Sequence, residues 1–333
     1  MHVRTCILIL ALMGAAMTHA DYAPPGMWTN DNWFAKSGDT YHAFYLQVPT
    51  CIGEGNRWTI GAKLTQIGHA TSTDLRHWTD QGPVIVPIRG TWVEALATGS
   101  VARFGDRWWM VFTVNGGKPG VGLAVSDDLM QWQLVGDGPV IPNGVYEGTW
   151  QGRPLKWRPC ADPYLYPEPI DGQMVIVINA KAEGAPAATS GCLGTWRSHD
   201  LKTWEPGPVL LYPEMIDRLE TPQLWTHGGR WYLYFGAAHD QAEIAPKWQA
   251  DVPAEIRTHR RVNCLYMADR WDGEYRPIPG QWWLDRLPNG QGSYIHKVLA
   301  GPDGRDVLIT TSNMKVSPPF EVVYGEDGGI TLR

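Results

Sequence analysis

The sequence predicts an all-β protein, a five-bladed β-propeller with four antiparallel strands per blade, and three observations carry that prediction. Eighteen Trp, 37 Gly and 26 Pro in 333 residues describe many short aromatic-rich strands joined by tight turns, with little room for long helices. One hairpin form recurs five times, as Gly38-Asp-Thr-Tyr-His-Ala-Phe-Tyr45, Gly105-Asp-Arg-Trp-Trp-Met-Val-Phe112, Asp171-Gly-Gln-Met-Val-Ile-Val-Ile178, Gly228-Gly-Arg-Trp-Tyr-Leu-Tyr-Phe235 and Asp303-Gly-Arg-Asp-Val-Leu-Ile-Thr310. Each is a Gly turn entering a buried strand, and the copies lie roughly 57 to 75 residues apart. A second signature follows the first: Ser72-Thr-Asp-Leu-Arg-His-Trp78, Ser126-Asp-Asp-Leu-Met-Gln-Trp132 and Ser198-His-Asp-Leu-Lys-Thr-Trp204, each trailed by Gly-Pro-Val at Gly82, Gly138 and Gly207. A β-sandwich is the runner-up, and it does not repeat a turn signature at so long a period.

Taken in order, the chain opens with Arg4, an apolar run from Cys6 to Ala16 and Met17-Thr-His-Ala20. This reads as a signal peptide over 1–20, too short to span a bilayer, so a secreted or periplasmic protein is expected. The remainder, 21–333, is expected to be a single propeller domain. Each unit then reads as an inner strand bearing a motif, a Gly turn, a second strand, a third ending at the Ser-x-Asp-Leu turn, and an outer strand beginning at the Trp. In that turn Ser and Asp serve backbone N–H groups while Leu and Trp pack between sheets, which is a structural role. Asp269-Arg-Trp-Asp-Gly-Glu-Tyr275 is a degenerate fourth copy, and residues 239–261 interrupt the fourth blade as a surface loop of mixed charge. Most tryptophans are expected in the packing between sheets.

A formal net charge of −6 argues against nucleic acid or anionic lipid as the main partner. Beyond the leader, Cys51, Cys160, Cys192 and Cys264 allow three pairings among which sequence does not choose. There is no CxxC spacing and no metal-ligand set is expected.

Inner strands of a propeller surround a central channel, so acids at matching places face one another. Asp31 in Trp28-Thr-Asn-Asp31, Asp162 in Cys160-Ala-Asp-Pro163 and Glu220 in Leu219-Glu-Thr-Pro222 precede the turn glycines Gly38, Gly172 and Gly229 in blades one, three and four. Any one of them alone has a local reading: a turn acid for Asp31, an Asp-Pro turn for Asp162, a surface ion pair with Arg218 for Glu220. Together they form the group that breaks a glycosidic bond, in which one carboxyl protonates the departing oxygen and another acts as nucleophile or as base for water. Crowding is expected to raise the pKa of one, and Glu220, with the longer arm, is the candidate acid. Trp28, Asn30, Gln47, Trp92, Arg158, Tyr294 and His296 are candidate sugar contacts. His69 is expected to support the fold by hydrogen bonds. Glu94 is expected to be peripheral, because the inner residues of blade two fall at Thr98 to Ser100.

The chain resembles the five-bladed furanosidase superfamily, glycoside hydrolase families 32 and 68 with 43 and 62, over most of the segment after the leader. Trp28-Thr-Asn-Asp-Asn-Trp-Phe34 is similar to the Trp-Met-Asn-Asp-Pro-Asn-Gly of family 32, and Gly68-His-Ala-Thr-Ser-Thr-Asp-Leu-Arg-His-Trp78 is close to its Gly-His-Ala-Thr-Ser-x-Asp-Leu-x-His-Trp. Tyr41-His-Ala-Phe-Tyr-Leu-Gln47 resembles its Phe-Tyr-Gln segment, Ala161-Asp-Pro163 its Arg-Asp-Pro, and Glu220-Thr-Pro-Gln-Leu-Trp225 its Glu-Cys-Pro-Asp-Leu-Phe. The resemblance implies a β-fructofuranosidase-like enzyme acting on an oligo- or polysaccharide, with Asp31 as nucleophile, Glu220 as acid/base and Asp162 bonding sugar hydroxyls. Ala161 stands where the family has Arg, which calls fructose specificity into question unless Arg158 substitutes. The sequence is expected to hold the five blades alone, without the family's C-terminal β-sandwich. Ala-Asp-Pro is equally at home in the inverting arabinofuranosidase branch, where Asp31 is the base and Asp162 tunes Glu220. A non-catalytic sugar-binding propeller is the remaining alternative. No cofactor is required, although related propellers sometimes bind calcium in the channel, which makes His296 a candidate to hold an ion or a water there.

Overall fold

The computed structural model describes residues 21–56, 61–238, 245–249, 261–278, 287–288 and 293–333. The expected leader, 1–20, lies outside them, as does most of the fourth-blade insertion. Twenty-three strands among the described residues form five antiparallel sheets. Blade one is β1 (Met27–Ser37), β2 (Thr40–Pro49), β3 (Gln66–Ser72) and β4 (Thr79–Ile85). Blade two is β5 (Leu96–Phe104), β6 (Arg107–Val114), β7 (Gly120–Ser126) and β8 (Gln133–Leu134), with the short β9 (Ile141–Pro142) also on β7. Blade three adds β10 (Tyr146–Trp150) ahead of β11 (Arg153–Leu165), β12 (Met174–Ala182), β13 (Gly191–Ser198) and β14 (Glu205–Pro206). Blade four is β15 (Arg218–His227), β16 (Arg230–Ala238), β17 (Arg261–Ala268) and β18 (Arg276–Pro277). Blade five is β19 (Tyr294–Ala300), β20 (Asp306–Ser312), β22 (Phe320–Tyr324) and β23 (Ile330–Leu332), with β21 (Lys315–Val316) paired to β20.

The fold is therefore the expected five-bladed propeller with a four-strand antiparallel path in every blade. The extra strand of blade three arises because β11 is long: its first residues, 153–157, hairpin with β10 and the rest pairs with β12. The hairpin glycines work as the sequence implies. At Gly228-Gly229 both residues have positive φ, 58° and 76°, the mirror-image turn whose twist matches the strands on either side.

The Ser-x-Asp-Leu signature has one geometry in all three copies. Ser198 Oγ accepts from the N–H groups of Asp200 and Leu201 at 3.2 and 2.8 Å, and Asp200 Oδ1 accepts from those of Lys202 and Thr203 at 2.8 and 2.7 Å. The same bonds recur at Ser72 with Asp74 and at Ser126 with Asp128. These bonds hold Leu75, Leu129 and Leu201 at φ near 61°, 67° and 63°, where each side chain is fully buried. The degenerate copy keeps the packing without the serine: Trp271 and Tyr275 are buried, and the Tyr275 hydroxyl donates to Trp271 O at 2.9 Å.

Five apolar clusters fill the five seams between neighbouring blades. Trp33, Trp157 and Trp196 lie in them almost wholly buried, each contributing on the order of 2–3 kcal/mol through area removed from water. The seam between blades five and one is closed by the chain's own first described residues. Tyr22 exchanges backbone bonds with Val316 at 2.7 and 2.8 Å, and Thr29 N donates to Met314 O at 3.0 Å. Within the insertion, the described turn Pro246–Gln249 is anchored, since the Trp248 indole donates to Pro213 O at 3.0 Å and Trp248 packs on the core between blades three and four. Among the described residues no disulfide joins Cys51, Cys160, Cys192 and Cys264, so none of the three pairings is present.

Candidate active site

Every inner strand is irregular at the same level. Pairing registers slip between Asn30 and Asn32 in β1, Leu96 and Gly99 in β5, Ala161 and Tyr164 in β11, Glu220 and Gln223 in β15, and Tyr294 and His296 in β19. Such bulges leave a residue out of the ladder and re-aim its side chain. In four of the five the bulged residue has positive φ: Asp31 at 46°, Asp162 at 59°, Thr221 at 50° and Ile295 at 68°. Left-handed backbone at non-glycine residues stores strain, and here it recurs where the acids sit. The expectation of three acids at one equivalent place needs a correction. Asp31 and Asp162 are the bulged residues, whereas in blade four that residue is Thr221 and Glu220 precedes it, in the position Tyr294 holds in blade five. The bulge is set by ladder register, which the distance to the turn glycine does not reveal.

The three acids nevertheless meet. Asp162, 8% exposed, lies within electrostatic range of both Glu220 and Asp31. Each is held by a group from another blade. The Thr98 hydroxyl, from blade two, donates to Asp31 Oδ2 and also lies against Asp162. Asp162 Oδ2 accepts from Thr221 N at 3.0 Å and from Asn179 Nδ2 at 3.4 Å, and the Asp162 N–H donates to Thr113 Oγ1 at 2.9 Å. The Tyr294 hydroxyl, from blade five, donates to Glu220 Oε2, and Arg218 Nη1 lies 3.3 Å from Glu220 Oε1. Gly236, opposite Glu220 in the β15–β16 ladder, makes room for the Tyr294 ring: a Cβ there would come within 2.5 Å of it.

Burial, and after it the charges of Glu220 and Asp31, push the Asp162 carboxyl well above the ordinary carboxylate range, against the Thr221 N–H and Thr98 hydroxyl that pull it down. Crowding thus acts on Asp162, the deepest acid.

A cavity of about 240 Å³ opens beside two of the acids, lined by Trp28, Asn30, Asp31, Gln47 and Asp162 of the expected residues, with Thr98 and Met314, while Glu220 is not part of its lining. Tyr294 also belongs to the site, through Glu220. Three expected contacts fall elsewhere. Arg158 is drawn away to Glu183, with Nε 2.8 Å from Oε1 near the surface. Trp92 stacks on Phe112 at 6.3 Å and packs on the seam between blades one and two. His296 is 1% exposed, stacks on Tyr234 at 5.2 Å and bonds Ser293 Oγ through Nε2 at 2.8 Å, so it cannot reach a sugar. Trp92 lies in the loop between β4 and β5 and on no inner strand, whereas Arg158 and His296 adjoin register slips of β11 and β19, which shift the alternation of faces. As expected, His69 is structural, buried and bonded to His42 at 3.0 Å, and Glu94 is peripheral, accepting from Gly90 N at 3.0 Å.

Sequence reasoning passed over Lys297, and it weighed Arg218 only as a surface ion-pair partner of Glu220. Arg218 stands two positions before Glu220, and alternation along a strand places them on one face, so the signal was present. The arginine beside the acids comes from blade four, not from the segment before Asp162.

Residues 21–322 match the glycosyl hydrolases family 32 N-terminal domain. The chain belongs to glycosyl hydrolases family 32. This family 32 chain is 24% identical over 341 residues to the sucrose-6-phosphate hydrolase of Escherichia coli, covering 94% of itself and 61% of that protein. It thus spans about three fifths of the length of that relative. Among solved structures it resembles the family 32 β-fructofuranosidase of Bombyx mori, with a TM-score of 0.70 at 20% identity over 95% of this chain and 64% of that one. It also resembles an inulosucrase from Halalkalicoccus jeotgali bound to kestose, with a TM-score of 0.68 at 20% identity over 94% and 90%. At such identities the structures speak for the fold.

Proposed function

We propose that this family 32 protein is a retaining hydrolase of β-fructofuranosidic bonds in oligo- or polysaccharides, with Asp31 as nucleophile, Glu220 as acid/base and Asp162 as the group that bonds sugar hydroxyls. The observation that carries the reading is the meeting of three acids from blades one, three and four, Asp31 and Asp162 lining a cavity and each of the three fixed by a donor from elsewhere in the ring. Sugar enters over Trp28, whose ring offers an apolar face, with Asn30 and Gln47 beside it. Asp31 attacks the anomeric carbon while Glu220 gives its proton to the departing oxygen, and the C–O bond breaks with formation of a fructosyl ester. Glu220 then takes a proton from water, which opens the ester and restores both acids. Thr98 donating to Asp31 and Tyr294 donating to Glu220 hold the two carboxyls in place, so little is spent on ordering them at the moment of reaction. Export by way of residues 1–20 belongs to the same proposal.

The test is a panel of sucrose, inulin, levan, arabinan and aryl arabinofuranosides, with the first-formed anomer read by NMR. Hydrolysis of a fructoside with retained configuration is expected. Asp31→Asn and Glu220→Gln should each lower turnover by at least about 10³-fold with folding preserved. An inverted first product would transfer Asp31 to the role of base, and undiminished turnover in both variants would overturn the assignment.

A further inference from the structure

Lys297 is the least expected residue of the channel. It lies on β19, two positions beyond the Ile295 bulge, and is 5% exposed. Its ammonium donates to Thr221 O at 3.1 Å and Pro222 O at 3.3 Å, the two carbonyls of the blade-four bulge, and stands 5.8 Å from the centre of the Tyr164 ring. Burying an ammonium costs several kcal/mol unless charge and hydrogen bonds compensate. The compensation here comes from the reaction centre: besides the carbonyls from β15 and the Tyr164 ring from β11, Lys297 feels Asp162 from β11 and Asp31 from β1, while His296 adjoins it on its own strand.

The bonding is also geometrically specific. The Thr221 whose carbonyl Lys297 holds is the residue whose N–H donates to Asp162. Lys297 therefore grips the carbonyl side of the positive-φ residue whose N–H is donated to the deepest acid. The same placement bears on a channel calcium. A hard cation of that kind asks for six to eight oxygens. The Thr221 and Pro222 carbonyls are engaged by Nζ, the adjoining His296 offers nitrogen, and among the described residues no three His, Cys, Asp or Glu side chains gather as ligands. The donor set does not fit calcium.

We propose that Lys297 is the built-in cation of the site, a positioning residue that neutralises Asp31 and Asp162 and locks the Thr221 bulge so that its N–H stays on Asp162. Burial draws the Lys297 ammonium down to about 8, and Asp162 and Asp31 draw it back up, so the acids and the lysine sustain one another's charge. The inference deepens the proposed furanosidase reading, and its test does not need turnover.

The thermal midpoints of wild type, Lys297→Met and Lys297→Arg are to be followed from pH 5 to 7.5. Removing the charge should destabilise Lys297→Met more at pH 7.5, where Asp162 ionises, than at pH 5, and Lys297→Arg should restore much of the loss. Where turnover is present, the acid limb of kcat/KM in Lys297→Met should move up by roughly one pH unit or more, with KM changed less than kcat. Should Lys297→Met fail to fold, the lysine Cε resonance of ¹³C-labelled protein, assigned by its loss in Lys297→Arg, gives a second reading. In Asp162→Asn, where a negative partner is gone, it should titrate at lower pH than in wild type. A pH-independent drop in midpoint with an unmoved acid limb would leave Lys297 a space-filler and overturn the proposal, as would a Cε titration unmoved by Asp162→Asn. A rise in the wild-type midpoint with millimolar calcium would overturn it as well.

Discussion

The outer Ser-x-Asp-Leu turns and the inner-strand bulges have the same ingredients, an acid and a non-glycine residue with positive φ, yet they satisfy their acids in opposite ways. At the outer turns the partners are two or three residues away: Asp128 and Asp200 each accept from two backbone N–H groups of their own turn. Those N–H groups hold both carboxyls below the ordinary range. At the bulges the partners arrive from other blades, Thr98 to Asp31, Thr221 to Asp162 and Tyr294 to Glu220, across 67, 59 and 74 residues of sequence. There Asp162 is pushed up. An acid completed by its own turn is a structural part. One completed only when the ring closes is left with capacity for a ligand.

Asp162→Asn should break the comparison most sharply. Turnover is expected to fall by on the order of 10³-fold, since the group that bonds the sugar is lost. Stability is expected to hold or rise. Because the folded carboxyl titrates above its unfolded value, folding gains from Asp162 are complete below the unfolded value near pH 4 and are lost as pH rises through the folded one. The variant should therefore gain on wild type as pH increases from 4 to 8, measured by thermal midpoint. Thr98→Val removes the hydroxyl shared by Asp31 and Asp162, and roughly a tenfold loss in kcat with a small change in KM is expected from steady-state kinetics.

The opposite behaviour is expected on the outside. Ser198→Ala leaves the buried N–H of Leu201 without its acceptor and should cost about 1–2 kcal/mol in denaturant unfolding while leaving turnover unchanged. The smallest effect belongs to Arg158→Ala. Its half-exposed pair with Glu183 is worth within about 0.5 kcal/mol, and kinetics on any fructoside should match wild type. A large rise in KM in that variant would show that Arg158 swings to the substrate after all.

Much of this was legible before any coordinates. The hairpin glycines and Ser-x-Asp-Leu turns state the blade count, because each is a local bonding pattern that its own few residues complete. The acids were legible because they accompany those repeats. Arg158 and His296 were misplaced because a bulge shifts the alternation of faces, and nothing within the strand's own sequence marks how many residues it consumes; Trp92 was misplaced because β5 begins only at Leu96. Arg218 was readable from its spacing to Glu220. Lys297 was not, since a lysine in Tyr294-Ile-His-Lys-Val-Leu-Ala300 has the appearance of an ordinary strand charge until β11 and β15 close over it.

Sequence by itself determined the ring: turns, strand order and repeat number follow from contacts made within a few residues, and the three acids could be named as candidates because they accompany those repeats. Tertiary structure alone decided which acid is buried deepest and that Lys297 brings a positive charge to the acids. Those properties depend on desolvation and on charges brought together from different blades, and such interactions exist only once the ring is closed.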